Sequence, residues 1–269
     1  MRIQFNFRGT VVAVTGASGG IGKAIAMEFA RAGASVLVGD IKEVEGQAAV
    51  AEMQALGAQA MFVRTDVLDQ KSTDDFIQTA ICQFGALDVL VNGAGASGRF
   101  AGMPLTRTED KDFDIAYGVN LKGIYHTIKS GYNYFVGRKE GKIINVTSVV
   151  GHSTNPALPH YAASKAAAIN FTLTMAKELG PHNIKVNSVC PGYIYTPMYE
   201  MAADDMRVVF PAFADLSGEE IVSEFAKANC ALGRPQTLED LANAVMYLAS
   251  EAGDNITGVV LDVAGGYKL

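Results

Sequence analysis

Ser148, Tyr161 and Lys165 are the side chains in this sequence best suited to moving a proton. In Tyr161-Ala-Ala-Ser-Lys165 the i, i+4 spacing places phenol and ammonium on one helix face. A free tyrosine has a pKa of about 10, too high for a general base at neutral pH, and a neighbouring cation lowers it by stabilising the phenolate. The spacing alone discriminates little, because Tyr125-His-Thr-Ile-Lys129 repeats it. Thirteen residues before Tyr161 stands Ser148, whereas thirteen before Tyr125 stands Asp112, so the second pair reads as a helix-surface pair.

A second constellation could hold phosphate. Thr15-Gly16-Ala17-Ser18-Gly19-Gly20-Ile21-Gly22 follows an apolar β-branched run and opens a helical pattern. Glycines stand where a backbone must turn tightly and approach a ligand, and a helix N-terminus adds free N–H groups and a positive dipole end. The pattern is T-G-x-x-x-G-x-G rather than G-x-G-x-x-G, and taken by itself it also fits a plain tight turn. Asp40 ends the next strand twenty residues after Gly20, where a carboxylate can accept hydrogen bonds from ribose hydroxyls and repels a 2′-phosphate. Ser18 and Ile41 are neutral and Lys42 is expected to face solvent, so charge favours NAD over NADP. The same Asp40 also fits a helix N-cap before the KEVEGQ segment.

These groups need a scaffold that brings strand ends together. Strand patterns fall at 11–16, 35–40, 60–67, 87–95, 142–148, 184–192 and 258–266, separated by amphipathic helical stretches. That alternation predicts an α/β Rossmann-type, doubly wound, seven-stranded parallel sheet with helices on both faces. In the first helix Ile21, Ile25 and Phe29 repeat at i+4 and Gly33 marks the stop; further helices are expected over 109–137 and 160–180. No linker breaks the rhythm, so 1–269 reads as a single domain. Residues 193–233, rich in Tyr, Met, Phe and Pro, are too long for an ordinary connection and read as a substrate lid.

Composition narrows the function classes. The net charge is −6 with no basic stripe, which argues against nucleic acid as a partner. Cys82, Cys190 and Cys230 form neither a C-x-x-C pair nor a disulfide framework, as expected in a reducing compartment. With no signal-like start and no run of eighteen apolar residues, the expectation is a cytoplasmic protein without a membrane segment. His126, His152, His160 and His182 make no H-x-x-x-H or H-E-x-x-H, so no metal site is expected. His152, four residues past Ser148, reads either as a wall of the substrate cleft or as a loop stabiliser.

Taken in order, these motifs resemble the short-chain dehydrogenase/reductase family over essentially the whole chain. The resemblance rests on the TGASGGIG turn, Asp66-Val67, Asn92-Gly93-Ala94-Gly95, Asn120 in GVNLKG, Ser148, Tyr161 with Lys165, and Pro191-Gly192 with Thr196 beyond. It implies an alcohol–carbonyl oxidoreductase with four catalytic residues. Tyr161 would exchange the proton with the substrate oxygen, Ser148 would hydrogen-bond that oxygen, Lys165 would bind the nicotinamide ribose and lower the tyrosine pKa, and Asn120 would hold a water in the proton path. The cofactor contacts implied are Gly16, Ser18, Gly20, Ile21 and Gly22 at the diphosphate, and Asp40 with Ile41 at the adenosine ribose. Asp66 and Val67 would border adenine, Asn92, Gly93, Ala94 and Gly95 would line the adenosine side, and Pro191, Gly192, Ile194 and Thr196 would lie toward the nicotinamide, together with Tyr161 and Lys165. The family usually carries two asparagines where this chain has Asn92-Gly93, and the loss of the second is expected to loosen the fourth strand locally.

The loop Gly151-His152-Ser153-Thr154-Asn155-Pro156 is similar to that of acetoin/butanediol and polyol dehydrogenases, which implies a small diol, polyol or hydroxyketone held by Ser148, His152, Asn155 and Tyr161. An apolar lid of Met198, Tyr199, Met201, Phe210 and Phe213 suits instead a bulkier ketone, including a 3-oxoacyl thioester. From other classes, a catalytically silent dinucleotide-binding regulator would lack part of the Ser–Tyr–Lys set, and a nucleotide-sugar epimerase or dehydratase would carry a C-terminal substrate domain. The chain closes at 264–269 just after the seventh strand, so that edge needs cover. With Ala162, Ala163, Ala166 and Ala167 on one helix, the resemblance implies a homotetramer, unless these alanines pack only on the subunit's own sheet.

Overall fold

The computed structural model describes residues 5–99 and 105–268, without the side chains of Met201 and Val209. Seven parallel strands, β1 (Val11–Thr15), β2 (Ser35–Asp40), β3 (Ala60–Arg64), β4 (Val89–Asn92), β5 (Gly141–Val146), β6 (Ile184–Pro191) and β7 (Val260–Val263), form one sheet in the order β3-β2-β1-β4-β5-β6-β7. The expected α/β Rossmann fold is therefore present.

Alternation along the strands assigns the two faces. Val12, Val14, Val36, Val38, Val89, Val91 and Ile144 point to one apolar core, shared with α1 (Gly20–Arg31), α2 (Glu43–Ala55) and α9 (Leu238–Ala249). Their neighbours Val11, Ala13, Leu37, Leu90 and Ile143 point to the other, shared with α3 (Gln70–Phe84), α5 (Gly123–Arg138) and α6 (Pro159–Leu179). Strands buried on both faces must be nearly continuous apolar runs, and these are. The chain winds outward from β1 to β3 and then returns to place β4 on the other side of β1. Parallel sheets open a crevice at such a reversal, beyond the strand C-terminal ends.

Three expectations change in the structure, and a fourth segment gains its form. The strands stop short of their predicted ends, so 65–67, 93–95, 147–148, 192 and 264–266 leave the ladder as loops. These segments carry Asp66, Val67, Gly93, Ala94, Gly95, Ser148 and Gly192. The single helix expected over 109–137 is instead α4 (Asp110–Tyr117), a π turn over Gly118–Lys122, and α5. The N-cap of α2 is Lys42, and Asp40 lies outside that helix, accepting from the Lys42 N–H at 3.0 Å. Residues 193–233 form a helical hairpin, α7 (Pro197–Val209) and α8 (Gly218–Asn229), around Ala203, Met206 and Ile221. Thr196 and Ser217 cap its helices, accepting from Tyr199 and Glu220 N–H.

Candidate active site

The residues expected to handle the proton sit at the N-terminal end of α6 and on the turn that follows β5. Ser148 caps a short 3-10 turn (Val149–Gly151), its hydroxyl accepting from the Val150 N–H at 3.3 Å. That hydroxyl also hydrogen-bonds the Tyr161 phenol. Lys165 is 4% exposed, donates to the Val146 carbonyl at 3.0 Å and lies 5.6 Å from the Tyr161 ring centroid. Ser148, Tyr161 and Lys165 thus converge as their spacing suggested.

The electrostatics differ from the sequence expectation. Burial among protein atoms pushes the Tyr161 phenol up to about 12, only partly countered by the Ser148 hydrogen bond. Burial also pushes Lys165 down to about 8. Desolvation disfavours both charged forms, so the phenol stays neutral although the Lys165 ammonium stands close to its ring. In this state the phenol stays protonated, which suits donating a proton better than accepting one.

Asn120 is fully buried on the π turn. Its side chain accepts from Ala96 N at 2.9 Å and donates to Ala96 O at 2.8 Å and Ser164 Oγ at 2.9 Å. Both amide hydrogens are spent, so the side chain braces the loop after β4 against α6. Gly95, expected on the adenosine side, faces this corner instead: a Cβ there would stand 3.5 Å from Asn120 Oδ1 and 3.7 Å from Lys165 Nζ.

The glycine turn is closed behind and open in front. A Cβ on Gly16 would fall 2.6 Å from Ala94 Cα, and one on Gly22 would fall 2.2 Å from the Gly16 carbonyl oxygen. Gly19 faces open space, while Gly20, at φ +53°, faces Thr196 and Pro197 across an open groove. Asp40 Oδ2 accepts from Ser18 N at 3.1 Å and Ser18 Oγ at 2.7 Å, fixing the carboxylate beside the turn. Room in front of Gly19 and Gly20, with a held carboxylate at one end and Gly95 and Lys165 at the other, fits an extended dinucleotide.

Other sequence-named positions serve as supports. Val67 is buried, its carbonyl 2.8 Å from His126 Nδ1, and Asp66 Oδ1 accepts from Leu68 N. Asn92 donates to Asn145 Oδ1 at 2.8 Å and accepts from Thr127 Oγ1 at 2.7 Å, and Asn145 donates to Thr172 Oγ1 at 2.8 Å. This buried chain ties β4 and β5 to α5 and α6, and Thr127, Asn145 and Thr172 carried no sequence signal beyond their polarity. Gly93 tightens β4 rather than loosening it: a Cβ there would come 2.7 Å from the Thr15 carbonyl oxygen, so the bare backbone lets the two strand ends meet. Pro191 ends β6, a Cβ on Gly192 would lie 2.9 Å from Ala264 Cβ, and Ile194 packs in the first core. Ile21 packs at the edge of the same core, whereas Ile41 is exposed. His160 is buried with Nε2 2.7 Å from the Ser97 carbonyl. His152 and Asn155 stand apart from the Ser148–Tyr161 pair in their bonding: Nε2 of His152 pairs with Asp262 Oδ2 at 3.0 Å, and Asn155 caps its own turn by accepting from Ala157 N. In the 193–233 hairpin, Phe210, Phe213 and Phe225 form mutual ring contacts and Tyr199 packs with them, while the Met201 side chain lies outside the described residues.

A sheet wound in this order, with a glycine turn at its reversal and Ser–Tyr–Lys at the mouth, defines a dinucleotide-dependent oxidoreductase. The short chain dehydrogenase family matches residues 10–207, and the chain belongs to that family. It is 36% identical to 3-oxoacyl-[acyl-carrier-protein] reductase FabG of Thermotoga maritima over 97% of this chain and 98% of that one. It is 35% identical to the diacetyl reductase [(S)-acetoin forming] of Staphylococcus epidermidis, over 94% and 96% respectively. Among solved structures, a 7α-hydroxysteroid dehydrogenase complexed with NADH and 7-oxo glycochenodeoxycholic acid superposes with a TM-score of 0.85 at 32% identity, covering 99% of this chain and 98% of that one. The L-sorbose reductase of Gluconobacter frateurii, complexed with NADPH and L-sorbose, gives a TM-score of 0.88 at 26% identity, with 99% of each chain covered. The protein is an NAD(P)-dependent short-chain oxidoreductase. Among the described residues no helix is long and apolar enough to cross a membrane.

Proposed function

We propose that the chain reduces the ketone of a 3-oxoacyl thioester, with NADH as its dinucleotide. The carrying observation is the seat of the lid: Ala203, Met206 and Ile221 pack with Tyr199, Phe210, Phe213 and Phe225 against Ala157 and Leu158, immediately before Tyr161. An apolar and aromatic body therefore packs on the segment that leads into the Tyr161 helix, which suits an acyl chain better than a polyol. The similarity to the acyl-carrier-protein reductase, along nearly the whole of both chains, supports the same substrate class.

When bound, the reduced dinucleotide supplies the hydride. Asp40, Gly16, Ser18, Gly20 and Gly22 would hold its adenosine and diphosphate end, and Gly95, Lys165 and Thr196 its nicotinamide end. Tyr161, kept protonated by burial, gives its phenolic proton to the carbonyl oxygen, and Ser148 steadies that oxygen through its own hydroxyl. Lys165, charged below about pH 8, stabilises the phenolate left behind. Asp40, fixed by two bonds from Ser18, sets a negative charge where a 2′-phosphate would come, which favours NADH.

Steady-state assays test both parts. kcat/KM for acetoacetyl-coenzyme A should exceed that for diacetyl by at least about tenfold, roughly the worth of burying two methylenes. The reverse order would move the assignment to a small hydroxyketone, the reading favoured by the diacetyl reductase similarity. A higher kcat/KM with NADPH than with NADH would overturn the cofactor choice, and Asp40→Ala should erode the NADH preference.

The same reading includes a cytoplasmic homotetramer. Phe113, Ile115 and Tyr117 on α4, Tyr125 on α5 and Leu173 on α6 are exposed, and Ala166 is exposed rather than packed on its own sheet. Light scattering at micromolar concentration should give four times the 28.5 kDa chain mass, and a fully active monomer would refute it.

A further inference from the structure

Three side chains beyond the reaction described above converge at the C-terminal edge of the sheet. Cys190 on β6 and Asp262 on β7 are register partners, so their side chains leave the same face of adjacent strands. The turn after Ser148 brings His152 onto them. His152 Nε2 lies 3.0 Å from Asp262 Oδ2, and the nitrogen, a carboxylate oxygen and Cys190 Sγ all lie within 4.8 Å of one another. Cys190 is fully buried, its sulfur 3.0 Å from Thr147 Oγ1 and 3.7 Å from Ser188 Oγ. His152 and Asp262 are exposed. The arrangement is a sulfur floor with a nitrogen and an oxygen at its rim, reachable from solvent.

We propose that Cys190, His152 and Asp262 form a binding site for one thiophilic divalent cation, with Zn²⁺ as the fitting ion. Thiolate, imidazole and carboxylate together select zinc-like ions over Mg²⁺ or Ca²⁺, which take oxygen ligands. Charge also balances: a carboxylate and a thiolate match a dication, the Cys190 thiol giving its proton to solvent as the sulfur–metal bond forms. Three protein ligands leave the fourth tetrahedral position to water on the exposed side. Two of the ligands are on neighbouring strands and the third is four residues past Ser148, so the ion clamps the catalytic serine's turn to the sheet edge. The expectation of no metal site rested on local histidine spacing. These ligands come from three distant segments and share no spacing motif.

Titrating the full-length protein with Co²⁺ tests the site without recourse to turnover. One equivalent per chain should produce an intense thiolate-to-cobalt charge-transfer band, and Zn²⁺ should abolish it by competition. Cys190→Ser should lose the band, Cys82→Ser and Cys230→Ser should keep it, and Asp262→Asn should weaken cobalt affinity by at least about tenfold. Zn²⁺ should raise the melting temperature of the unmodified chain, with the increase much reduced in Asp262→Asn. Because Cys190 is buried and its serine variant also perturbs packing, Asp262→Asn and His152→Gln at the exposed rim carry the test independently. No charge-transfer band in the unmodified protein, a band that survives in folded Cys190→Ser, or unaltered affinity in both rim variants would each overturn the proposal.

Discussion

Helices α5 and α6 carry the same tyrosine–lysine pair and make opposite use of it. The Lys129 nitrogen sits 5.4 Å from the Tyr125 ring centroid and the Lys165 nitrogen 5.6 Å from that of Tyr161, so local geometry hardly distinguishes them. Surroundings do. Tyr125 is 40% exposed on the outer side of α5, whereas Lys165 is 4% exposed and the Tyr161 phenol meets Ser148. A cation beside a ring in water is a weak surface contact, but the same pair under a strand end becomes a proton donor with a buried charge behind it. Reactivity here belongs to the sheet that the helix leans on.

The largest expected difference is in the tyrosines. Tyr161→Phe should lower kcat by at least ~100-fold, the usual scale of a general acid, while Tyr125→Phe should leave it within about twofold. Stopped-flow or steady-state loss of NADH absorbance reads both, and equal effects would dissolve the contrast. The lysines should differ by less. Lys165→Met should reduce the turnover of carbonyl reduction by about tenfold or more, and Lys129→Met should not change it. In the unmodified enzyme the reduction rate should fall as pH rises through about 8, where Lys165 loses its charge, and this limb should vanish in Lys165→Met. A pH profile that is flat from 7 to about 9 would remove the charge from the mechanism.

Stability should move in the opposite direction from activity at the same residue. The folded-state pKa of Lys165 lies near 8, below its ordinary 10.5, so the native state loses its proton first as pH rises. Burial of the charge therefore costs stability fully below about pH 8, and the cost is relieved between there and 10.5. Lys165→Met should be more stable than the unmodified chain at pH 7, on the order of 1 kcal/mol after the lost bond to Val146 is counted, with the gap closing by pH 10.5. Urea melts at both ends of that range check the sign, and a variant less stable at pH 7 would show that the Val146 bond outweighs the burial. Smallest of all, Tyr125→Phe and Lys129→Met should each shift stability by no more than about 0.5 kcal/mol.

Much of this contrast could be read before any coordinates. Short β-branched runs placed the strands, an i+4 apolar repeat placed the inner face of the first helix, and the order of motifs placed Ser148, Tyr161 and Lys165 together. What escaped the sequence were relations between distant segments. Asn92 reads as a cofactor contact on the adenosine side, yet its side chain bonds Asn145 and Thr127 in the interior. Residues 193–233 read only as a long insertion, because their apolar side chains pack on one another and on Ala157 and Leu158, rather than on the main core. The sign of the Tyr161 shift also depends on how much water the phenol loses, which spacing cannot express.

The π turn at Gly118–Lys122 has a consequence for how this chain can change in length. Each residue advances an α-helix by about 100°, so the wide turn acts as one residue of extra phase between α4 and α5. Removing a residue there would let α4 run on into α5 without interruption. Either Asn120 would then swing away from Ala96 and Ser164, or the inward row of Ile124, Ile128 and Phe135 would rotate out of its core. Loops elsewhere on the surface can gain or lose residues one at a time, but at this junction the count is fixed by two cores that must stay in phase.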